Sequence, residues 1–209
     1  MHYDEVVAAL APTGMVARGG FVDEPARTIV VIGNVGGAMW PVFRAAEQAA
    51  DDPLDKWTRS VLKPIAAALG ADFVHPSDEP FQPFQRWAQR AEGITQSPIG
   101  LLIHPEYGLW HAYRGAFLFP FALDGLPDPI GDPSPCLSCA EQPCLSACPV
   151  DAFTIGNYAA DACRGHVRSR TEPMCIEAGC AARLACPIGT ENKYGPDQMH
   201  FHMRAFVGE

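Results

Sequence analysis

The sequence predicts an α+β fold, a sheet-and-helix domain followed by a small cysteine-rich one. Three observations carry this. The first 121 residues mix helix and strand signals in the order β-α-α-β-α-β-β, with at least one adjacent strand pair. All eight cysteines fall between 136 and 186. Between the two compositions lies FALDGLPDPIGDPSP, whose prolines and glycines suit neither a helix nor a central strand. The domains expected are 1–121, a linker at 122–135, and 136–209.

The elements follow in order. Asp4 to Leu10 reads as a short helix. RTIVVIG, Arg27–Gly33, is continuous and β-branched, as a strand buried on both faces should be. Pro41–Ala50 is helical. Asp52, as N-cap, and Pro53, at the first helical position, open a helix that runs to Leu69, carries Pro64 within it and stops at Gly70. Ala71–His75 is a short strand and Phe84–Ala91 a helix. Ile99–His104 and Trp110–Phe119 are two strands joined by the turn-like PEYG, which predicts a hairpin. Asp197–Phe206 forms a last helix. GNVGG at 33–37 lacks the GxGxxG spacing and reads as a turn before a phosphate loop. His200 and His202 read as helix surface, and YGPDQMHFHMRAF is a candidate cover for the cysteine region.

The 209 residues suffice for one sizeable core, or for one core and a satellite. Hydrophobic residues at 48% and charged residues at 19% exclude a disordered chain. A net charge of −9 speaks against nucleic acid as a partner and suits docking to a basic redox protein. No basic-then-apolar leader opens the chain, and no apolar run is long enough to span a bilayer. The expectation is a cytoplasmic protein with no membrane partner. In that compartment thiols stay reduced, so eight cysteines point to metal or redox chemistry.

The cysteines form two sets, Cys136-x2-Cys139-x4-Cys144-x3-Cys148-Pro149 and Cys163-x11-Cys175-x4-Cys180-x5-Cys186-Pro187. Three thiolates on one tight loop can hold three irons of a cubane, and the fourth must come from elsewhere in the chain. Each Cys-Pro stops its loop from running on as helix. Ala147, Val150, Ala181 and Ala185 offer small or apolar packing around the thiols. Zinc, disulfides, or one cluster with spare thiols are the alternatives; CxxC is also a zinc half-site, although zinc does not call for Cys-Pro endings. The pattern resembles the two-[4Fe–4S] ferredoxin module, in which the last cysteine of each set crosses to the other cluster. That resemblance implies one cluster on Cys136, Cys139, Cys144 and Cys186, and another on Cys148, Cys163, Cys175 and Cys180. The x4 in the first set and the looser second set depart from the bacterial spacing.

A second motif precedes the cysteines. GLLIHPEYGLWHAYRG, 100–115, resembles the segment GxxIHPxxGxWxAxRG of the cblC-type cobalamin-processing proteins, whose fold is nitroreductase-like. DPLD at 52–55 and ADFVHP at 71–76 extend the likeness more faintly. The resemblance implies that Gly100 lies against a corrin, that Trp110 helps to build the pocket wall, and that Arg114 holds an anionic co-substrate such as glutathione. His104 is either a cofactor-facing residue or a turn feature. Joined to an Fe–S module, the arrangement is similar to epoxyqueuosine reductase and the reductive dehalogenases. Such a chain would take electrons from a redox partner through two clusters to a cofactor in the N-terminal domain. Cobalamin is the first expectation for that cofactor and flavin the alternative; a ferredoxin-like electron carrier without its own active site is the competing reading. A small-molecule substrate is a possible partner. Tyr107, His104 and Tyr113 are the candidate general acids by proximity. The substrate and the oligomeric state are not legible.

Overall fold

The computed structural model describes residues 1–23, 27–46, 50–131, 133–170 and 174–209. In chain order the elements are α1 (Tyr3–Leu10), β1 (Val16–Asp23), β2 (Arg27–Val35), α2 (Trp40–Ala46), α3 (Pro53–Ala68), β3 (Asp72–Val74), α4 (Phe84–Glu92), β4 (Thr95–Gln96), β5 (Leu102–Ile103) and β6 (His111–Phe119). There follow α5 (Pro143–Ser146), β7 (Phe153–Thr154), β8 (Asn157–Tyr158), α6 (Ala160–Ser169), α7 (Met174–Ala178), α8 (Ala181–Leu184) and α9 (Pro196–Val207). They divide into two compact units, one of residues 1–94 and 111–131, the other of residues 95–110 and 132–209.

The first unit is built on an antiparallel sheet in the order β1-β2-β6-β3. β2 is central, and its β-branched run is buried on both faces. Ile29 and Val31 pack with Phe21, Phe84, Trp87, Ala91 and Ala116, while the alternate residues Val30 and Ile32 are equally inaccessible on the opposite face. Each such side chain contributes about 1.5–3 kcal/mol through burial. β1 was not expected. Its sequence VARGGFVD carries a buried arginine and two glycines, and its register slips between Ala17 and Gly20. Pairing with β2 overrides that weak local preference.

Four further expectations are revised here. The hairpin between 99–104 and 110–119 does not form. β6 pairs with β2 and β3, and β5 pairs with β4, while PEYG closes only a tight His104–Gly108 bridge. GNVGG is largely strand: β2 runs on to Val35, and a Cβ at Gly33 would stand 2.1 Å from the Ala112 carbonyl oxygen, so close strand contact explains that glycine. Asp52 precedes α3 with φ +50° and no side-chain cap, so Pro53 alone supplies the expected start. α2 begins at Trp40 and runs to Ala46; the rest of its expected span includes 47–49, which lie outside the described residues.

The expected boundaries at 121 and 136 also move. The proline- and glycine-rich stretch stays with the sheet unit as far as 131. There the Tyr3 amide donates to the Asp124 carbonyl at 2.9 Å and the Ile130 amide to the Glu92 carbonyl at 2.8 Å. Residues 95–110, by contrast, join the cysteine-bearing unit.

That second unit has short elements and a core made partly of thiols. Ile99, Ile103 and Leu109 are buried together with Cys144, Cys148, Cys186, Ala152 and Ala182. A second cluster joins Cys175 and Ile176 to Val167 and Val207, with Met203 and Phe206 packed against it. The latter residues belong to α9, the helix expected at 197–206, which packs on α6 and α7. His200 on α9 is half-buried, its Nδ1 3.0 Å from the Ile176 carbonyl.

Candidate metal centre and cofactor recess

The second unit contains a recess of about 350 Å³ of empty space, including that open to solvent, and four cysteines line it: Cys136, Cys139, Cys144 and Cys186. They are the four that the ferredoxin resemblance assigns to one cluster. Cys136 lies within a single turn of 3-10 helix and Cys139 just after it, Cys144 sits on α5, and Cys186 closes the loop after α8. Ile103, Leu109 and Ile188 complete an apolar wall.

Burial pushes the thiols of Cys136, Cys144 and Cys186 above their ordinary range, and the neighbouring thiolates of the same group push them further. Such thiols ionise readily only when a cation compensates them. Cys180 behaves alike: burial raises it, the charges of Cys163 and Cys175 add to that, and the amides of Ala182 and Arg183 oppose it by donating to the sulfur. Cys163 and Cys175 thus stand close enough to Cys180 for their charges to act on it. Cys148 packs in one apolar cluster with Cys163 and Cys180, and its sulfur accepts the Ala152 amide at 3.3 Å.

The donor set fits four-iron clusters. It is all thiol, largely shielded, and supplied with amide donors to sulfur. Among the described residues no three His, Cys, Asp or Glu side chains converge on a single-ion site. A cubane, unlike a tetrahedral zinc, asks its thiolates to stand apart around four irons.

A larger recess, about 1350 Å³ of empty space with part of it open to solvent, adjoins the first. The two share Ser97, Pro98, Cys136 and Gln142. Gly100 lies on the wall of the larger one. Its φ of +79° closes the turn begun at Ser97, and a Cβ built there would meet nothing within 4 Å. Glycine is therefore required by backbone conformation, and the space above it is open to a ligand.

The other motif residues go elsewhere. His104 is buried, and its Nδ1 accepts the amides of Glu106 at 3.1 Å and Tyr107 at 3.2 Å, while its ring stacks on Tyr107 at 4.0 Å. It caps a turn. Gly108 is explained by the Ile188 carbonyl oxygen, which would stand 1.9 Å from a Cβ there. Trp110 is buried, with the Arg183 guanidinium 4.5 Å above its ring and Tyr194 against its edge at 5.5 Å. Arg183 also donates twice to the Leu109 carbonyl. Trp110 is thus core, in contrast to the expected pocket wall. Arg114 belongs to the sheet unit and donates from Nε to Asn34 Oδ1 at 3.1 Å. Tyr113 donates to Glu92 within the sheet unit, and burial pushes its pKa far up. Of the four cofactor-facing candidates, the second unit gathers Gly100, His104 and Trp110, and only Gly100 faces open space.

Several participants were missed by sequence reasoning. Ser97, Ser134 and Tyr158 line the larger recess, and Arg183 and Tyr194 fix Trp110. None sits in a recognisable motif; Arg183 lies between two cysteines, and its partners are remote in sequence.

No protein-family model and no curated protein matches the sequence, so the likeness to known proteins rests on structure. The fold is shared with epoxyqueuosine reductase from Streptococcus thermophilus, with a TM-score of 0.57 and 15% identity over 95% of this chain and 70% of that one. It is also shared with an epoxyqueuosine reductase solved with a tRNA-Tyr epoxyqueuosine-modified stem loop, at a TM-score of 0.52 and 14% identity over 96% of this chain and 67% of that one. The C. elegans B12-trafficking protein CblC, a human MMACHC homologue, matches with a TM-score of 0.51 and 14% identity over 98% of this chain and 91% of that one. The chain thus has the α+β fold of these proteins, and it spans about two thirds of the reductase chains it matches.

One expectation is corrected by these neighbours. A structure of this fold has been solved with a tRNA stem loop, so the exclusion of nucleic acid drawn from a net charge of −9 does not stand. Phosphate recognition depends on the local field at a surface, which a whole-chain sum does not report. No helix among the described residues is long and apolar enough to cross a membrane.

Proposed function

We propose that this chain is an iron–sulfur reductase. Cys136, Cys139, Cys144 and Cys186 hold one [4Fe–4S] cluster, and Cys148, Cys163, Cys175 and Cys180 hold a second. The acceptor binds in the recess beside Gly100, in the cysteine-bearing unit rather than the sheet domain. The observation that carries this reading is the shared wall: Cys136 and Ser97 line both the cysteine recess and the larger one. A ligand in the larger recess would therefore share Ser97 and Cys136 as neighbours with the first cluster.

When bound, the clusters supply single electrons. The chain's own residues shield and orient. Ile103, Leu109 and Ile188 keep water from the thiols, and the turn from Ser97 to Gly100 holds an open face for a broad ligand. Cobalamin is the acceptor favoured, because Gly100 opens the motif shared with the cblC-type proteins, and the CblC structure matches along nearly the whole chain. Reduction of cobalt, or removal of its upper ligand, is the chemistry this implies. The substrate beyond the cofactor is a small molecule or a nucleic acid base, the second kept in view by the neighbour solved with a tRNA stem loop.

The test is a titration of anaerobically cluster-loaded protein with cob(II)alamin, followed by visible and EPR spectra. A saturable change in the cobalt signal, lost in Gly100→Asp, is expected. An unchanged cobalt signal beside intact cluster spectra overturns cobalamin as the acceptor and leaves an electron carrier or a flavin enzyme.

A further inference from the structure

Two hydroxyl groups beside the first set of cysteines have no role in the fold. Ser97 is buried, and its Oγ is shut off from solvent and finds no hydrogen-bond partner among the described residues. Its backbone is fully employed: the amide donates to the Leu101 carbonyl at 2.7 Å and the carbonyl accepts the Gly100 amide at 2.9 Å. The turn thereby pins the side chain at the wall of the cysteine recess. Ser134, two residues before Cys136, has an Oγ equally closed to solvent and without an oxygen or nitrogen partner. Ser134 and Cys136 line the larger recess together.

The cysteines assigned to the second cluster have donors of their own: the Ala152 amide serves Cys148 at 3.3 Å, and the amides of Ala182 and Arg183 serve Cys180. The unspent serine hydroxyls stand instead beside Cys136, assigned to the first cluster.

We infer that Ser97 and Ser134 are potential-tuning residues, whose hydroxyls donate to the sulfurs of the cluster held by Cys136, Cys139, Cys144 and Cys186. This rests on the cluster assignment above. A donor to thiolate or sulfide stabilises the more negative, reduced state, so each hydroxyl raises that cluster's midpoint potential. The cluster nearer the larger recess thus becomes the easier one to reduce, and electrons collect beside the acceptor.

The experiment is an EPR-monitored redox titration of cluster-loaded protein, with the isosteric pair Ser97→Thr and Ser97→Val and the same pair at Ser134. Valine and threonine share one shape, a methyl group larger than serine; valine removes the donor and threonine keeps it. Either valine variant is expected to lower one of the two midpoint potentials, by about tenfold in the reduced-to-oxidised ratio or ~59 mV for a one-electron couple. The other potential stays in place, and threonine leaves both unchanged. Because two positions are tested, failure of one variant to load leaves the other to decide. Two unmoved potentials in loaded valine variants overturn the inference, as does an equal shift of both clusters. A wild-type protein that shows no [4Fe–4S] signal overturns the cluster assignment itself, a failure visible before any variant is made.

Discussion

The two units bury different things. The sheet unit buries aliphatic and aromatic side chains around β2, together with one ion pair: Arg18 Nε lies 2.8 Å from Glu92 Oε1, and the Tyr113 hydroxyl donates to the same carboxylate. The cysteine unit buries thiols whose pKa values are pushed up, beside short helices and two-residue strands. Such a core has little apolar area to offset conformational entropy, and on the proposed function bound clusters would supply the missing stabilisation.

Four perturbations break or sharpen that contrast. The largest is expected from Cys186→Ala, which should halve the iron bound per chain and abolish one cluster's EPR signal. Cys144→Ala should remove the same signal and Cys148→Ala the other. If Cys148→Ala silenced the same cluster as Cys144→Ala, the crossed assignment would be wrong. Second, Glu92→Ala leaves the Arg18 guanidinium buried without its carboxylate. It should cost about 3–5 kcal/mol in denaturant unfolding of the sheet unit, with cluster spectra unchanged. Equal loss in both units would deny their independence. Third, Arg183→Ala removes two hydrogen bonds to the Leu109 carbonyl and the cation stacked between Trp110 and Tyr194, at about 2 kcal/mol. Here the loss should appear in the cysteine unit alone, read by amide exchange.

The smallest effect concerns pH. His75 is buried, and desolvation lowers its pKa from the ordinary 6.5, against the carboxylate of Asp55. Above pH 6.5 the ring is neutral in both folded and unfolded chains. Below it, the unfolded chain takes a proton that the folded one refuses, so stability falls with pH until the lowered folded pKa is passed. The sheet unit should therefore lose stability gradually on the acid side of 6.5, and His75→Gln should flatten that slope. An unchanged slope would remove His75 as its source.

Much of the first unit was legible because its signals are local. RTIVVIG has one reading as a buried strand, and Asp197–Phe206 one reading as a helix. β1 was hidden because VARGGFVD places a charge and two glycines where a strand is expected to show alternation; pairing with the next strand, and the Glu92 carboxylate that holds Arg18 from far along the chain, make it a strand. The hairpin misled for the same reason. PEYG does turn the chain, but what β6 pairs with is decided by β2, which offers a nine-residue strand buried at its seven central positions. At the site, the motif GLLIHPEYGLWHAYRG was read as one cofactor surface. The structure divides it among tasks: an open glycine, a turn cap, a core tryptophan under Arg183, and an arginine in the other unit.

By itself the sequence determined the composition of the site: eight thiols in two Cys-Pro-terminated sets, a glycine marked at position 100, and a strand that must be buried. Spacing along a chain specifies such local chemistry because nearby residues are bound to meet. Tertiary structure alone decided which thiols share a recess, that Ser97 and Ser134 stand beside them, and that residues 95–110 leave the sheet for the cysteines. Those are contacts between distant segments, set by which surfaces bury one another, and no local pattern encodes them.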